Sequence, residues 1–298
     1  MSRVLFKTSF SVSEAHGVRL VRMARSYFGR ELLPVHCFAV GDTLVDSGLS
    51  SAAEPMARFA RDAGIREVLL THHHEDHSGN AARLAEQGAR VLASSATAPV
   101  VERGFPIRFY QHVLWGAAAK VQATPFATTR ARLGHLDADV IPTPGHCDDQ
   151  VAFHVPSEGW LFSGDAFLHE RVRVFRRDED FAGTIATLER LAALDFDVLF
   201  CAHRPRLTGG REAIRAKLDW LHGIEERVRA LRAGGARIRE IARRLELGPG
   251  HPFFRLTFGD VSGANMVRSI LFGPTPRPES RDAARGRPTE GPRAGNRT

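Results

Sequence analysis

The chain has 298 residues, 43% of them apolar and 25% charged, and a formal net charge of +7. That length suffices for two domains or one large one with a substantial core, and the balance is that of an ordinary globular protein rather than a disordered or fibrous one. No run approaches the ~18 consecutive apolar residues of a membrane span, and Met1–Lys7 has no long apolar stretch, so the cytoplasm is the expected compartment. Cys37, Cys147 and Cys201 are too few for a disulfide framework and are expected to be buried, reduced thiols. Cys147, beside His146, has a second reading as a site-lining or weakly metal-contacting thiol. The basic charge comes almost entirely from arginine, with Lys7, Lys120 and Lys217 the only lysines. Such an Arg-, Ala- and Gly-rich composition fits a G+C-biased gene as well as it fits a polyanion-binding surface.

In chain order, residues 33–45 predict a strand or hairpin and residues 52–63 an amphipathic helix. Glu67-Val68-Leu69-Leu70-Thr71 predicts a short buried strand. It runs into Thr-His-His-His-Glu-Asp-His-Ser-Gly-Asn, residues 71–80, which holds a His-x-His-x-Asp-His pattern made of His72, His74, Asp76 and His77. Three imidazoles and a carboxylate within six residues make a poor core and a good metal cage. A strand's two-residue period would aim His72 and His74 the same way, while Asp76 and His77 would open a helix and face a second position. The spacing thus suggests two adjacent metals.

Residues 79–87 predict a helix and Val91-Leu92-Ala93-Ser94 a strand. Residues 98–132 contain Phe105, Phe109, Tyr110, Trp115 and Phe126. Three later strand-like runs each end in a potential ligand, at His146 after Pro-Gly, at Asp165 after Ser-Gly, and at His203 after Cys-Ala. Strand ends are where open sheets place ligand sites.

In order and approximate spacing, His72, His74, Asp76, His77, His146, Asp165 and His203 resemble the ligand set of the metallo-β-lactamase-fold hydrolases, over roughly residues 30–222. The resemblance implies an α/β fold, a four-layer αββα sandwich with metals at one edge between the sheets. It implies that His72, His74 and His146 hold one metal, that Asp76, His77 and His203 hold another, and that Asp165 bridges them. Two divalent ions are implied, zinc first, with iron or manganese as alternatives. Leu44-Val45-Asp46-Ser47-Gly48 is similar to the family's leading Asp-x-Gly strand, making Asp46 a carboxylate that orients a ligand. Two ions ~3.5–4 Å apart can hold a bridging hydroxide at neutral pH, because coordination lowers the pKa of water. The implied activity is hydrolysis of an ester-like bond, a thioester or other carboxylic ester first, with Asp76 and the metals as the core apparatus. A phosphodiesterase or endoribonuclease and a mononuclear-iron sulfur dioxygenase are the alternatives.

Departures from the relatives narrow this. True β-lactamases with this motif usually carry Ser or Cys at the position of Asp165, which argues against antibiotic hydrolysis. Glyoxalase-II enzymes follow that Asp with Gly-Arg, whereas this chain continues Ala166-Phe167-Leu168-His169-Glu170-Arg171. Pro144-Gly145-His146-Cys147-Asp148-Asp149-Gln150 looks closer to the β-lactamase-like endoribonucleases. Tyr110, Trp115, His169 and Arg171 are the candidate substrate-facing residues, with Tyr110 a candidate oxyanion donor. A small-molecule substrate is favoured, RNA and a second copy of the chain stay open as partners, and no membrane is expected.

Beyond His203 a helix is predicted over 212–232, broken by Gly234-Gly235 and followed by helices over 238–245 and 262–271. Seven arginines from Arg227 to Arg244 are interleaved with Glu225, Glu226, Glu240 and Glu246. The expected division is a catalytic domain over 1–222, a helical cap or winged-helix-like module over 223–273, and a disordered Pro-, Gly- and Arg-rich tail over 274–298.

Overall fold

The computed structural model describes residues 6–248 and 257–275. Two sheets stack face to face with helices on both outer surfaces, the expected αββα sandwich. The first sheet comprises β1 (Phe6–Ala15), β2 (Val18–Tyr27), β3 (Arg30–Glu31), β4 (Val35–Val40), β5 (Thr43–Val45), β6 (Glu67–Leu69), β7 (Arg90–Ala93) and β8 (Thr124–Pro125). Its order is β1-β2-β4-β5-β6-β7-β8, with β3 on β2. β1 to β5 pair antiparallel and β5 to β8 parallel. The second sheet comprises β9 (Arg130–Leu133), β10 (Leu136–Pro142), β11 (Val151–Val155), β12 (Trp160–Gly164) and β14 (Val198–Cys201), in the order β14-β12-β11-β10-β9. A separate two-stranded ribbon joins β13 (Phe175–Arg176) to β15 (Val261–Ser262).

The helices are α1 (Ala53–Asp62), α2 (Glu75–Ser78), α3 (Ala81–Glu86), α4 (Ala98–Arg103), α5 (Phe109–Leu114), α6 (Phe181–Ala192), α7 (Gly210–Ala233), α8 (Ile238–Arg244) and α9 (Gly263–Phe272). Among the described residues no helix is long and apolar enough to cross a membrane.

Period-2 alternation explains why both faces of each sheet are covered. In β4, Phe38 and Val40 face the space between the sheets, while Cys37 and Ala39 pack under the helices of the first sheet. In β12, Trp160 and Phe162 point inward and Leu161 outward; in β14, Val198 and Phe200 point inward and Leu199 and Cys201 outward. Phe162 and Phe200 stack at 4.7 Å between ring centres, near the fully buried Phe153.

The β1–β2 hairpin lies outside the sequence expectation. Its strands are ten residues each, closed by His16 and Gly17 at φ 53° and 74°. A two-residue turn with both residues left-handed matches the twist of a hairpin. The His-x-His strand is shorter than expected, since β6 stops at Leu69 and residues 71–73 form a bend before α2. The expected boundary at residue 222 falls inside the continuous helix α7. Ile214, Leu221 and Val228 of α7 share one apolar cluster with Ile241 of α8, Met266 of α9 and Leu161 of the second sheet. α7 thus packs on the second sheet, and α8 and α9 pack on α7. The tail expected over 274–298 lies, from residue 276 on, outside the described residues.

Phe153→Ala should lower unfolding stability by ~3–5 kcal/mol, because it opens a cavity between the two sheets. Urea unfolding followed by circular dichroism reads this directly, and a loss under ~1 kcal/mol would contradict the inter-sheet packing.

Candidate metal centre

Five polar segments follow five strand ends at one edge of the sandwich. Asp46 follows β5, the His72–His77 segment follows β6, His146 follows β10, Asp165 follows β12 and His203 follows β14. β10 and β12 both run antiparallel to β11, and β14 runs parallel to β12, so their carboxyl ends meet at one side. Gly145, at φ 136°, permits the turn before His146, because a Cβ there would lie 2.6 Å from the Thr184 nitrogen. All seven ligand candidates converge.

They converge as two groups around one carboxylate. His72 Nε2 and His146 Nε2 lie 2.9 and 3.0 Å from His74 Nδ1. On the other side, His203 Nε2 is 3.5 Å and His77 Nε2 3.8 Å from Asp76 Oδ2. Asp165 stands between, with Oδ2 3.3 Å from His146 Nε2 and Oδ1 3.3 Å from both His77 Nε2 and His203 Nε2. Donors arranged tetrahedrally at ~2.0–2.2 Å from one ion would be roughly 3.3–3.6 Å apart, close to these separations. His77 Nε2 and Asp165 Oδ1 are buried yet make no hydrogen bond. Buried polar atoms without partners are costly, and a cation would satisfy both at once. The donor set fits divalent metal.

The opposite ring atoms are held from outside. His77 Nδ1 donates to Asp46 Oδ2 at 2.7 Å, and His146 Nδ1 donates to Glu179 Oε1 at 2.8 Å. His203 Nδ1 donates to the Pro34 carbonyl at 2.7 Å, and the Thr71 hydroxyl lies 3.0 Å from His72 Nδ1. Carboxylate and carbonyl oxygens only accept, so the Nδ1 proton is fixed at His77, His146 and His203, and each Nε2 lone pair faces the centre. Asp46 also accepts from the Thr71 backbone N–H at 2.8 Å, tying β5 to the turn that carries the motif. His74 presents Nδ1 rather than Nε2, because it caps α2 after the bend instead of sitting on a strand with His72. Its Nε2 lies 3.3 Å from Arg176 Nη1.

Charge divides the two groups. Burial holds His72 and His74 well below the ordinary imidazole range, reinforced by His77 at His72 and by Arg176 at His74. Both are therefore neutral, the form that binds metal. At His77 burial acts downward, but Asp165, Asp46 and Asp76 outweigh it and raise the ring well above its usual value. His203 is raised against burial by Asp165 and Asp76. Burial would lift Asp165, yet His203 and His77 hold it well below the carboxylate range. Glu75, buried beside Asp76, is pushed up to about 7 by burial and then by that neighbour.

A cleft of about 560 Å³ opens onto the cluster, lined by Leu33, Trp115, Leu168, Val172 and Arg204 among others. Trp115 and His169 line it. Tyr110 does not. Its hydroxyl is buried and donates to Asp260 Oδ2 at 2.6 Å, beside Arg108 Nε at 2.9 Å, so it clasps α5 to the segment before β15. Arg171 also lies outside the cleft lining, with its guanidinium 5.7 Å from the Trp220 ring centre. Cys147 is buried, with its sulfur within 4.8 Å of donor atoms of His72 and His74. Sequence reasoning did not single out Glu179, Thr71 or the Pro34 carbonyl. Thr71 adjoins the motif and could have been found, whereas neither Glu179 nor a backbone carbonyl carries a spacing signal.

Residues 30–203 match the family model of the metallo-beta-lactamase superfamily, and the chain belongs to that family. The hydroxyacylglutathione hydrolase of Rhodobacter capsulatus is 31% identical over 225 residues, covering 69% of this chain and 79% of that protein. That of Cereibacter sphaeroides is 33% identical over 174 residues, 56% of this chain and 59% of the relative. The chain thus spans about three fifths of the length of several curated relatives it matches. A beta-lactamase domain protein from Burkholderia ambifaria shares the fold with a TM-score of 0.62 at 20% identity, over 88% of this chain and 87% of that one. A metallo-beta-lactamase family protein from Thermus thermophilus aligns with a TM-score of 0.56 at 22% identity, over 73% and 83% of the two chains.

Asp46→Asn should keep the fold, since Asn tolerates the left-handed backbone at φ 59°, while removing the charge that holds the His77 ring. Metal affinity measured by chelator competition should fall ~10–100-fold. An unchanged affinity would exclude Asp46 from orienting the ligand.

Proposed function

We propose that the protein is a metal-dependent hydrolase of an ester-like bond, most simply a thioester, acting with two divalent ions. The observation that carries this reading is the placement of Asp165, one oxygen toward each group of nitrogen donors. His72, His74 and His146 would hold one ion, and Asp76, His77 and His203 the other, with Asp165 shared. The relatives' name, hydroxyacylglutathione hydrolase, describes hydrolysis of an acyl thioester and supports this choice of bond. Zinc is the expected ion, with iron or manganese as alternatives. Bound ions would polarise the scissile carbonyl and lower the pKa of water to near neutrality.

The chain's own residues supply the rest. Leu33, Trp115, Leu168 and Val172 give the cleft an apolar wall that suits an acyl group and excludes bulk water. Arg173, Arg176 and Arg204 line the same cleft and would attract an anionic substrate end. Lys217 donates to the carbonyls of Ala166 and Phe167 at 2.8 and 2.7 Å, fixing the turn that presents Asp165. Asp76, 5% exposed at the base of the cleft, is placed to face the reacting centre beside His203.

Chelation should abolish hydrolysis of acyl thioesters, and zinc, iron or manganese should restore it. Elemental analysis of the same preparation should find about two ions per chain, whereas one iron with oxygen uptake would favour a dioxygenase. Asp76→Asn should lower kcat by at least ~100-fold with little change in thermal midpoint. The hydrolase reading fails if the metal-loaded protein turns over no thioester, ester, lactone or phosphodiester.

A further inference from the structure

Neighbouring residues of a strand face opposite ways. Arg176 and Val261, paired across the β13–β15 ribbon, line the metal cleft. Arg177 and Ser262, one residue further along each chain, line a second cavity of about 970 Å³ behind the ribbon. Five arginines reach that cavity from separate segments: Arg177 after β13, Arg232 near the end of α7, Arg237 and Arg239 at the start of α8, and Arg268 on α9. Among the described residues no carboxylate lines it, and none of the five is ion-paired. What marks the cavity is that five arginines from separate segments gather around it. Five cations around one hollow repel one another, and an anion would relieve this.

A second feature points the same way. Phe258 lines the cavity, is 83% exposed, and sits at φ 51° directly before Gly259 at φ 81°. Two successive left-handed residues are ordinarily an Asn-Gly site, and a bulky aromatic there is disfavoured. The same backbone recurs at Phe28-Gly29 in the β2–β3 turn, so what singles out Phe258 is that its exposed ring lines the cavity. The first turn of α9, through Ala264 and Asn265, opens on the same cavity and contains no acidic residue.

We propose that this cavity binds a free nucleoside diphosphate. Its phosphates would lie among the guanidinium groups, whose planar fork matches phosphate oxygens. Its base would stack on Phe258. The five arginines, all exposed, surround one open cavity of about 970 Å³, a volume that suits a compact ligand. This site is separate from the metal centre and does not depend on the hydrolase reading.

Calorimetric titration of the full chain tests it, using ADP, inorganic pyrophosphate, adenosine and single-stranded oligonucleotides. ADP should bind saturably at one site and persist after chelator treatment, while adenosine alone should not bind. Arg239→Ala with Arg268→Ala should weaken both ADP and pyrophosphate at least ~10-fold. Phe258→Ala should weaken ADP by about tenfold and leave pyrophosphate unchanged. Thermal unfolding checks that each variant folds, and single Arg239→Gln and Arg268→Gln variants carry the test should the double variant not fold. The proposal is overturned if ADP does not bind saturably, if the substitutions leave binding unchanged, if chelation abolishes it, or if affinity grows with oligonucleotide length.

Discussion

Buried carboxylates and imidazoles placed within hydrogen-bond distance of one another demand a compensating positive charge, and the metal edge of this fold is organised around that demand. Asp165 is 5% exposed and touches both nitrogen groups, so it cannot rely on water for its charge. The surrounding carboxylates raise His77 and His203 against the effect of burial. His72 and His74 have no such carboxylate dominance and stay neutral. One pocket therefore holds two electrostatically different nitrogen groups. The one rich in carboxylates stabilises cationic charge outright, while the other offers bare lone pairs.

The sandwich makes that arrangement tolerable. Polar side chains this dense could not survive within a sheet, but strand ends release the backbone from the ladder and let side chains turn toward a common point. The apolar alternation of β4, β12 and β14 anchors the strands from both faces. Contacts outside the cluster then convert anchored strands into aimed rings. Asp46 links β5, the Thr71 turn and His77, while Glu179, just before α6, holds His146. Position is set by apolar packing and orientation by hydrogen bonds.

The same division explains what could be read in the sequence. The ligand candidates were legible because each ends a hydrophobic run, and one short motif contributes four of them. The helices over residues 53–62, 210–233 and 263–272 were legible from periodicity, within one or two residues at their ends. The β1–β2 hairpin was not, since β1 is largely exposed and its few apolar residues, Phe6, Phe10 and Val12, lie scattered among polar ones. Glu179 lay beyond reach because its role depends on the distance between β13 and β10, which only the tertiary fold sets. Tyr110 invited a catalytic reading as an aromatic hydroxyl in a segment near the metals, yet Asp260, 150 residues away, captures its hydroxyl. The boundary expected at residue 222 falls inside α7, because an amphipathic helix looks the same in sequence whether it begins a new domain or covers a sheet already present.

The β13–β15 ribbon gives these observations their spatial logic. It is only two residues on each side, and its two faces serve different environments. Arg176 turns toward His74 and is held charged despite burial by Asp178, Tyr110 and Glu75. Arg177 turns away, into a hollow with no such partners among its lining residues. Two consecutive arginines would look in sequence like one basic patch, but Arg176 lines the metal cleft beside Asp178 and Arg177 lines the second cavity, where no carboxylate is among the described lining residues. The gathering of five arginines around one cavity distinguishes it. A cation beside Asp178 adds order to an existing network, whereas five arginines with no carboxylate among the described lining residues suit a phosphate-bearing ligand.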